Sequence, residues 1–172
     1  MKRFFLLCWA ICLLNITGST NLLLAQTTAS DSALNAAYHQ FDFWLGEWDV
    51  YAYGTEKLVG KSHIMSINDS SGILENYHTP DGRYKGKSLN TYNRKTKQWE
   101  QYWIDNSGLV LKLSGEFRDR KMIMLNFDGL KRNKITWQTE AQNVRQTWES
   151  SKDGGKTWTT VFDGIYIPLQ EP

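Results

Sequence analysis

Two carboxylates fall on strand-like runs where alternate residues must point inward. Glu75 lies in "GILENYHT" and shares its parity with Ile73 and Tyr77. Asp105 ends "KQWEQYWID" and shares its parity with Trp99, Gln101 and Trp103. Side chains two positions apart share one face of a strand. A carboxyl turned into an apolar interior has its pKa pushed upward by burial, while a nearby arginine pulls it down. Pushed up, it becomes a usable general acid or base. Turned outward, Glu75 is a solvated acid, and Asn76 and His78 face the interior instead. The run leaves both orientations open. Asp105 opens the turn "DNSG", so capping that turn is its competing role.

Neighbouring runs supply partners for these acids. In "YKGKSLNTYN", Lys85 and Lys87 face water, which sends Tyr84, Gly86, Ser88, Asn90 and Tyr92 inward. Gly86 and Ser88 are small and leave volume. In "KQWEQYWID", an outward Glu100 sends Trp99, Gln101, Trp103 and Asp105 inward. In "GLVLKLSGEF", Lys112, Ser114 and Glu116 mark the wet face and Leu109, Leu111 and Leu113 the dry one. The interior therefore has an aliphatic part, joined by Met122 and Met124, and a part where polar groups stand among aromatic ones. A buried polar group without a partner costs a few kcal/mol. Several in one wall imply mutual hydrogen bonding, internal water or a ligand. The candidate ligand-binding residues are Glu75, Tyr77, Ser88, Asn90, Tyr92, Gln101, Trp103 and Asp105. A self-satisfied structural network is the other reading of the same set.

Other chemistries find little footing. His39, His63 and His78 are scattered, with no ligand spacing, so neither a metal nor a cofactor is expected. No "GxSxG" elbow occurs, and no catalytic residue is assigned. The alternative to a binding protein is a small barrel enzyme, an isomerase, cyclase or lyase, with Glu75 or Asp105 as acid or base. A carboxylate pair favours the enzyme. An isolated carboxylate held by Arg145 or Arg83 favours the binder.

The elements that must position these residues are short. "ALNAAYHQFDFWL", Ala33 to Leu45, has helical spacing at Leu34, Ala37, Tyr38 and Phe41, with Asp31 or Ser32 as a cap and Gly46 as the stop. His39 lies beside its end. After Gly46 the period becomes two, and about ten strands follow, separated by turns such as "TPDGR", "NRKTK" and "SKDGGKT". No later run suits a crossover helix, so the pairing is antiparallel. A sheet of that many short strands curls and closes, which removes its edges. The expected fold is all-β: a closed or nearly closed antiparallel up-and-down barrel of about ten strands, with a short N-terminal helix closing one end.

The first residues read differently. Lys2 and Arg3 precede the apolar run "FFLLCWAICLLNI", and Ala25 suits a cleavage site. That anatomy predicts a signal peptide over residues 1–25, a flexible leader over 26–32 and one barrel domain over 33–172. The run is short for a membrane span of about 20 apolar residues, so no stable anchor is expected after cleavage. Cys8 and Cys12 leave with the signal, and the exported domain must stand on its core alone. Without Lys2 and Arg3 the 20 basic residues become 18, equal to the 18 acidic ones. A chain without a basic surplus is a poor nucleic-acid binder. A periplasmic or secreted location follows.

The stretch "LGEWDV" resembles the start of lipocalin and related calycin barrels. In them a short helix closes one end and the first-strand tryptophan packs across that base, covered by a late-strand arginine. The resemblance assigns the tryptophan to Trp48 and the arginine to Arg145 in "NVRQTWES". With "FDFWLGEWDV", "YKGKSLNTYN", "WEQYWIDNSG", "VRQTWE" and "DGGKTWTTVFDG", the chain looks like a family of small exported bacterial proteins of unknown function over roughly residues 39–166. That likeness implies no reaction. A haem-binding barrel family with a similar glycine–tryptophan start uses a late histidine, and none follows His78 here. "SKDGGKTW" matches the Asp-box of sialidase-like propellers, but occurs once and reads as a turn with a packed Trp158. These readings converge on an exported protein that holds a small organic ligand inside a barrel.

Overall fold

A computed structural model describes residues 31–169. The expected signal peptide and residues 26–30 of the leader lie outside the described residues. Among the described residues no helix is long and apolar enough to cross a membrane.

Ten strands make a closed barrel: β1 (Gly46–Ala52), β2 (Leu58–Ile67), β3 (Gly72–His78), β4 (Lys85–Asn93), β5 (Gln98–Asp105), β6 (Val110–Arg118), β7 (Lys121–Asp128), β8 (Lys131–Glu140), β9 (Asn143–Ser151) and β10 (Thr159–Pro168). Each pairs antiparallel with the next, and β1 pairs with β10 to close the ring. The expected barrel is therefore the observed one. Period-two burial runs through β4, where Gly86, Ser88 and Asn90 are buried between exposed lysines and Leu89. The same alternation puts Trp48 and Val50 of β1 inside, with Ser62 and Ile64 of β2.

The N-terminal helix is shorter than its spacing predicts. Residues 31–38 are α-helical and already include Asp31 and Ser32, the expected caps. The chain then turns, and Asp42–Trp44 form a 3₁₀ turn. The cause is the crowding of "FDFW". A continued α-helix would point Phe43 away from the side shared by Phe41 and Trp44. The tighter turn instead lets Phe41 stack on Trp44 at 4.9 Å while Phe43 reaches Phe117 at 5.9 Å. The His39 ring meets Asp42 at 2.6 Å beside this turn. Gly46 is not a helix stop but the first residue of β1, with φ of +131°, a conformation L side chains rarely adopt.

Phe41 and Trp44 fill one end of the barrel together with Trp99, Trp137 and Tyr166, all buried. Trp48 joins this plug, edge-on to Tyr166, and its indole donates to the carbonyl of Trp44 at 3.1 Å. Arg145 does not cover it. On β9 the inward parity belongs to Val144, Gln146 and Trp148, so Arg145 points outward. There it stacks 3.5 Å over the Tyr53 ring and forms a two-armed bond to Asp163, at 2.9 and 2.8 Å. The guanidinium does cover an aromatic ring, but on the opposite face of the sheet.

"SKDGGKTW" is a turn built around Asp153, which accepts from the backbone N–H of Lys156 and Thr157 and from the Thr157 hydroxyl. Those bonds hold its carboxyl well below the usual range. The Trp158 indole donates to the Gly155 carbonyl.

Candidate functional site

Toward the other end the barrel is not filled. A cavity of about 190 Å³ is lined by Glu75 and Tyr77 of β3, Tyr84 just before β4, Gln101 and Trp103 of β5, Leu111 of β6 and Ile135 of β8. Gln146 and Trp148 of β9 and Val161, Phe162 and Tyr166 of β10 complete the wall. Val161 is half exposed and marks the way out. It is also the extra residue of a bulge, since Thr160 pairs with Glu149 and Phe162 with Trp148. Bulges of this kind re-aim side chains at barrel rims, and here both Val161 and Phe162 line the cavity.

The space inside depends on three glycines, though not as the sequence suggests. Gly86 does not leave a void, because the Trp103 ring occupies the place of its missing side chain. A Cβ there would stand 2.1 Å from the indole. Tyr77 lies over Gly60 in the same way, and Phe162 over Gly164, at 2.3 and 2.5 Å. Each ring is drawn down onto the backbone of the barrel wall, and the centre stays open.

Glu75 points inward and is 3% exposed. Its Oε1 accepts from the Ser62 hydroxyl at 3.2 Å and its Oε2 from the Ser88 hydroxyl at 2.8 Å. Burial pushes its pKa up to about 7, and the two serine hydroxyls only partly oppose that shift. Behind it runs a buried chain. The Gln101 amide donates to Asn90 Oδ1 at 2.8 Å, and Asn90 Nδ2 donates to Ser88 Oγ at 2.9 Å and to the Ile73 carbonyl at 3.3 Å.

Asp105 sits at the rim. Burial raises its pKa, but bonds from Ser107, Tyr84 and Trp103 outweigh that and bring it down to about 2. It caps the turn through Ser107 and also anchors two cavity rings, accepting from the Tyr84 hydroxyl at 2.7 Å and the Trp103 indole at 3.2 Å. Of the two roles read from the sequence, it fills the turn-capping one. It is not a free acid facing the cavity.

Of the eight candidate residues, Glu75, Tyr77, Gln101 and Trp103 line the cavity. Ser88 and Asn90 stand behind Glu75 in its hydrogen-bond chain, and Asp105 holds the rim. Tyr92 belongs to the opposite end, edge-on to Tyr38 and Trp99 at 6.3 Å. Gln146, Trp148, Phe162 and Tyr166 were not anticipated. Taking Arg145 as inward puts Gln146 and Trp148 on the wrong face. The signal that finds them is Val144, an apolar residue of the same parity.

The polar tips of the cavity rings are hydrogen-bonded. Tyr77 donates to the Val59 carbonyl at 2.9 Å and Trp148 to Asn133 Oδ1 at 2.9 Å, while Tyr166 donates to Gln146 Oε1. Burial raises the pKa of Tyr77 to about 12 and those of Tyr84 and Tyr166 above their ordinary value, so all three are neutral at physiological pH. What faces the cavity is aromatic surface, one carboxyl and the amides of Gln101 and Gln146.

Fold and site together define a closed antiparallel barrel, plugged at one end, with an aromatic-walled cavity at the other. No family model matches the sequence, and no curated protein matches it.

Proposed function

We propose that this protein is an exported binding protein that holds a small organic molecule in the open end of its barrel. One observation carries the reading: a cavity of about 190 Å³ whose Tyr77 and Trp148 rings have their polar tips bonded outside it, leaving ring surface and a few polar groups toward its interior. Concave, mostly aromatic pockets with few convergent polar groups are the usual form of small-molecule sites. The calycin resemblance of "LGEWDV" and the signal-like first 25 residues support the same reading. Native mass spectrometry of the protein purified from its source should find a retained small molecule. Titration with that molecule should change tryptophan fluorescence through Trp103 and Trp148. A Gln101→Ala substitution should weaken binding more than it lowers the melting temperature. A protein that carries no mass and shows no fluorescence response to a broad small-molecule panel refutes the proposal.

A second reading has its own support. A buried carboxyl with a pKa of about 7 is matched to proton transfer near neutral pH. It has no carboxylate partner in the cavity wall, since Asp105 is committed to the rim. Turnover of the retained molecule that is abolished by Glu75→Gln would favour a lyase or isomerase over a carrier.

A further inference from the structure

Glu75 receives two hydroxyl donors, yet nothing of opposite charge faces it among the described residues of the cavity wall. No lysine, arginine or histidine lines the cavity among the described residues. The hydrogen-bond chain fixes the role of the carboxyl. The Ile73 backbone carbonyl can only accept, so it fixes Asn90 Nδ2 as a donor. The same Nδ2 then donates to Ser88 Oγ, which leaves the Ser88 proton to Glu75. Gln101 locks the arrangement from the far side by donating to Asn90 Oδ1. Ser62 supplies a second donor to the other carboxylate oxygen. A buried carboxylate with hydrogen bonds but no counter-charge is costly.

The remaining walls suit a cation. The faces of aromatic rings attract positive charge, most strongly when water is excluded. Asp105 draws the polar edges of Tyr84 and Trp103 to the rim, and Val59 and Asn133 do the same for Tyr77 and Trp148.

Resting on the binding reading above, we propose that the ligand is a small organic ammonium ion, with its charge against Glu75 and its alkyl groups among Tyr77, Trp103, Trp148 and Phe162. The amides of Gln101 and Gln146 are placed to bond a neutral polar group on the same molecule. The cavity refuses carboxylates and phosphates, which would meet Glu75 without a compensating base.

The test uses the protein as purified from its source and two compounds of one shape. Choline carries the charge, and 3,3-dimethylbutan-1-ol replaces its nitrogen by carbon. Calorimetry at pH 8 should show choline binding at least about tenfold tighter than the alcohol, the equivalent of roughly 1.4 kcal/mol. Choline binding should weaken about tenfold from pH 8 to pH 6, because Glu75 must ionise to receive it. The other titratable groups facing the cavity, Tyr77, Tyr84 and Tyr166, stay neutral across that range. In Glu75→Gln the preference for choline should vanish while the alcohol still binds, which also reports an intact cavity. If that variant does not fold, the pH series on the unaltered protein decides. Equal or tighter binding of the alcohol overturns the ammonium assignment and leaves the binding reading standing. If neither compound binds and no ligand is retained on purification, both fall together.

Discussion

The two ends of this barrel use the same residue types for opposite purposes. At the plugged end, Phe41 and Trp44 enter from outside the sheet, stack on each other and pack edge-on or tilted against Trp99 and Trp137, with all four rings buried. At the open end, Tyr77, Trp103 and Phe162 belong to the sheet itself and lie over glycines of its wall. The polar tips differ as well. The indole N–H groups of Trp44 and Trp137 are buried without a hydrogen-bond partner, whereas Tyr77, Trp103 and Trp148 all have theirs bonded. The plug accepts a polar penalty for packing density. The cup gives up packing density for a defined surface. Aromatic content alone therefore does not tell a core from a site; what matters is whether the rings point toward one another or back onto the backbone.

The sharpest way to break this comparison is to remove one ring from each end. Trp44→Ala should cost about 3–5 kcal/mol in urea unfolding, as for a fully buried large aromatic. Trp148→Ala, at a half-buried wall position, should cost about 1–2 kcal/mol, since part of its surface faces an existing cavity. Equal costs would mean that the cup is as much a core as the plug.

Glu75→Gln sharpens the contrast through pH. The folded-state pKa of Glu75 is about 7, above an ordinary value of 4.5. Protonated Glu75 is thus favoured by folding, and its stability is fully present below about pH 4.5. It is lost as pH rises to about 7, in total about 3 kcal/mol by the usual conversion. The unaltered protein should lose stability across that window, and the glutamine variant should not show the loss. The variant should be the more stable of the two at pH 8. Identical pH profiles would mean that Glu75 is solvated.

Gly86→Ala tests the cup geometry directly. The added methyl meets the Trp103 ring, so the ring must lift off the wall into the cavity. We expect a cost of about 1–3 kcal/mol, as for overpacked sites, and loss of ligand binding. Stability unchanged with binding retained would show that the ring has room to move sideways. The smallest effect is expected outside the barrel. Arg145→Ala should cost under about 1 kcal/mol, because its pair with Asp163 is partly exposed and screened. A cost near that of Trp44→Ala would restore Arg145 to a role at the plug.

Much of this architecture was legible in the sequence. Alternation and the turn residues between the runs read as about ten antiparallel strands, which is the number in the closed ring. Alternation also turned Gln101 and Trp103 inward, because charged neighbours fixed the parity. Glu75 was undecidable because its run carries apolar and polar residues on both parities. Its orientation is set by partners one strand away, Ser62 and Ser88, which no local pattern reveals. Phe162 shares its parity with the buried Gly164 and Tyr166, and that alternation is the signal that finds it. Arg145 was misplaced by analogy, when the plain parity of Val144 pointed the other way.

The ring of strands is sewn by neighbours in sequence at every seam but one. The pairing of β1 with β10 joins Trp48 to Pro168, so the barrel cannot close until its last strand is available. A chain synthesised or translocated from its N-terminus would pass through a stage with nine strands and two bare edges. Such edges recruit other chains as readily as the missing strand. Late closure makes the final ten-residue strand a timing element. It also explains what a truncation there would do: take Phe162 and Tyr166 out of the interior and leave a sheet open along its whole length.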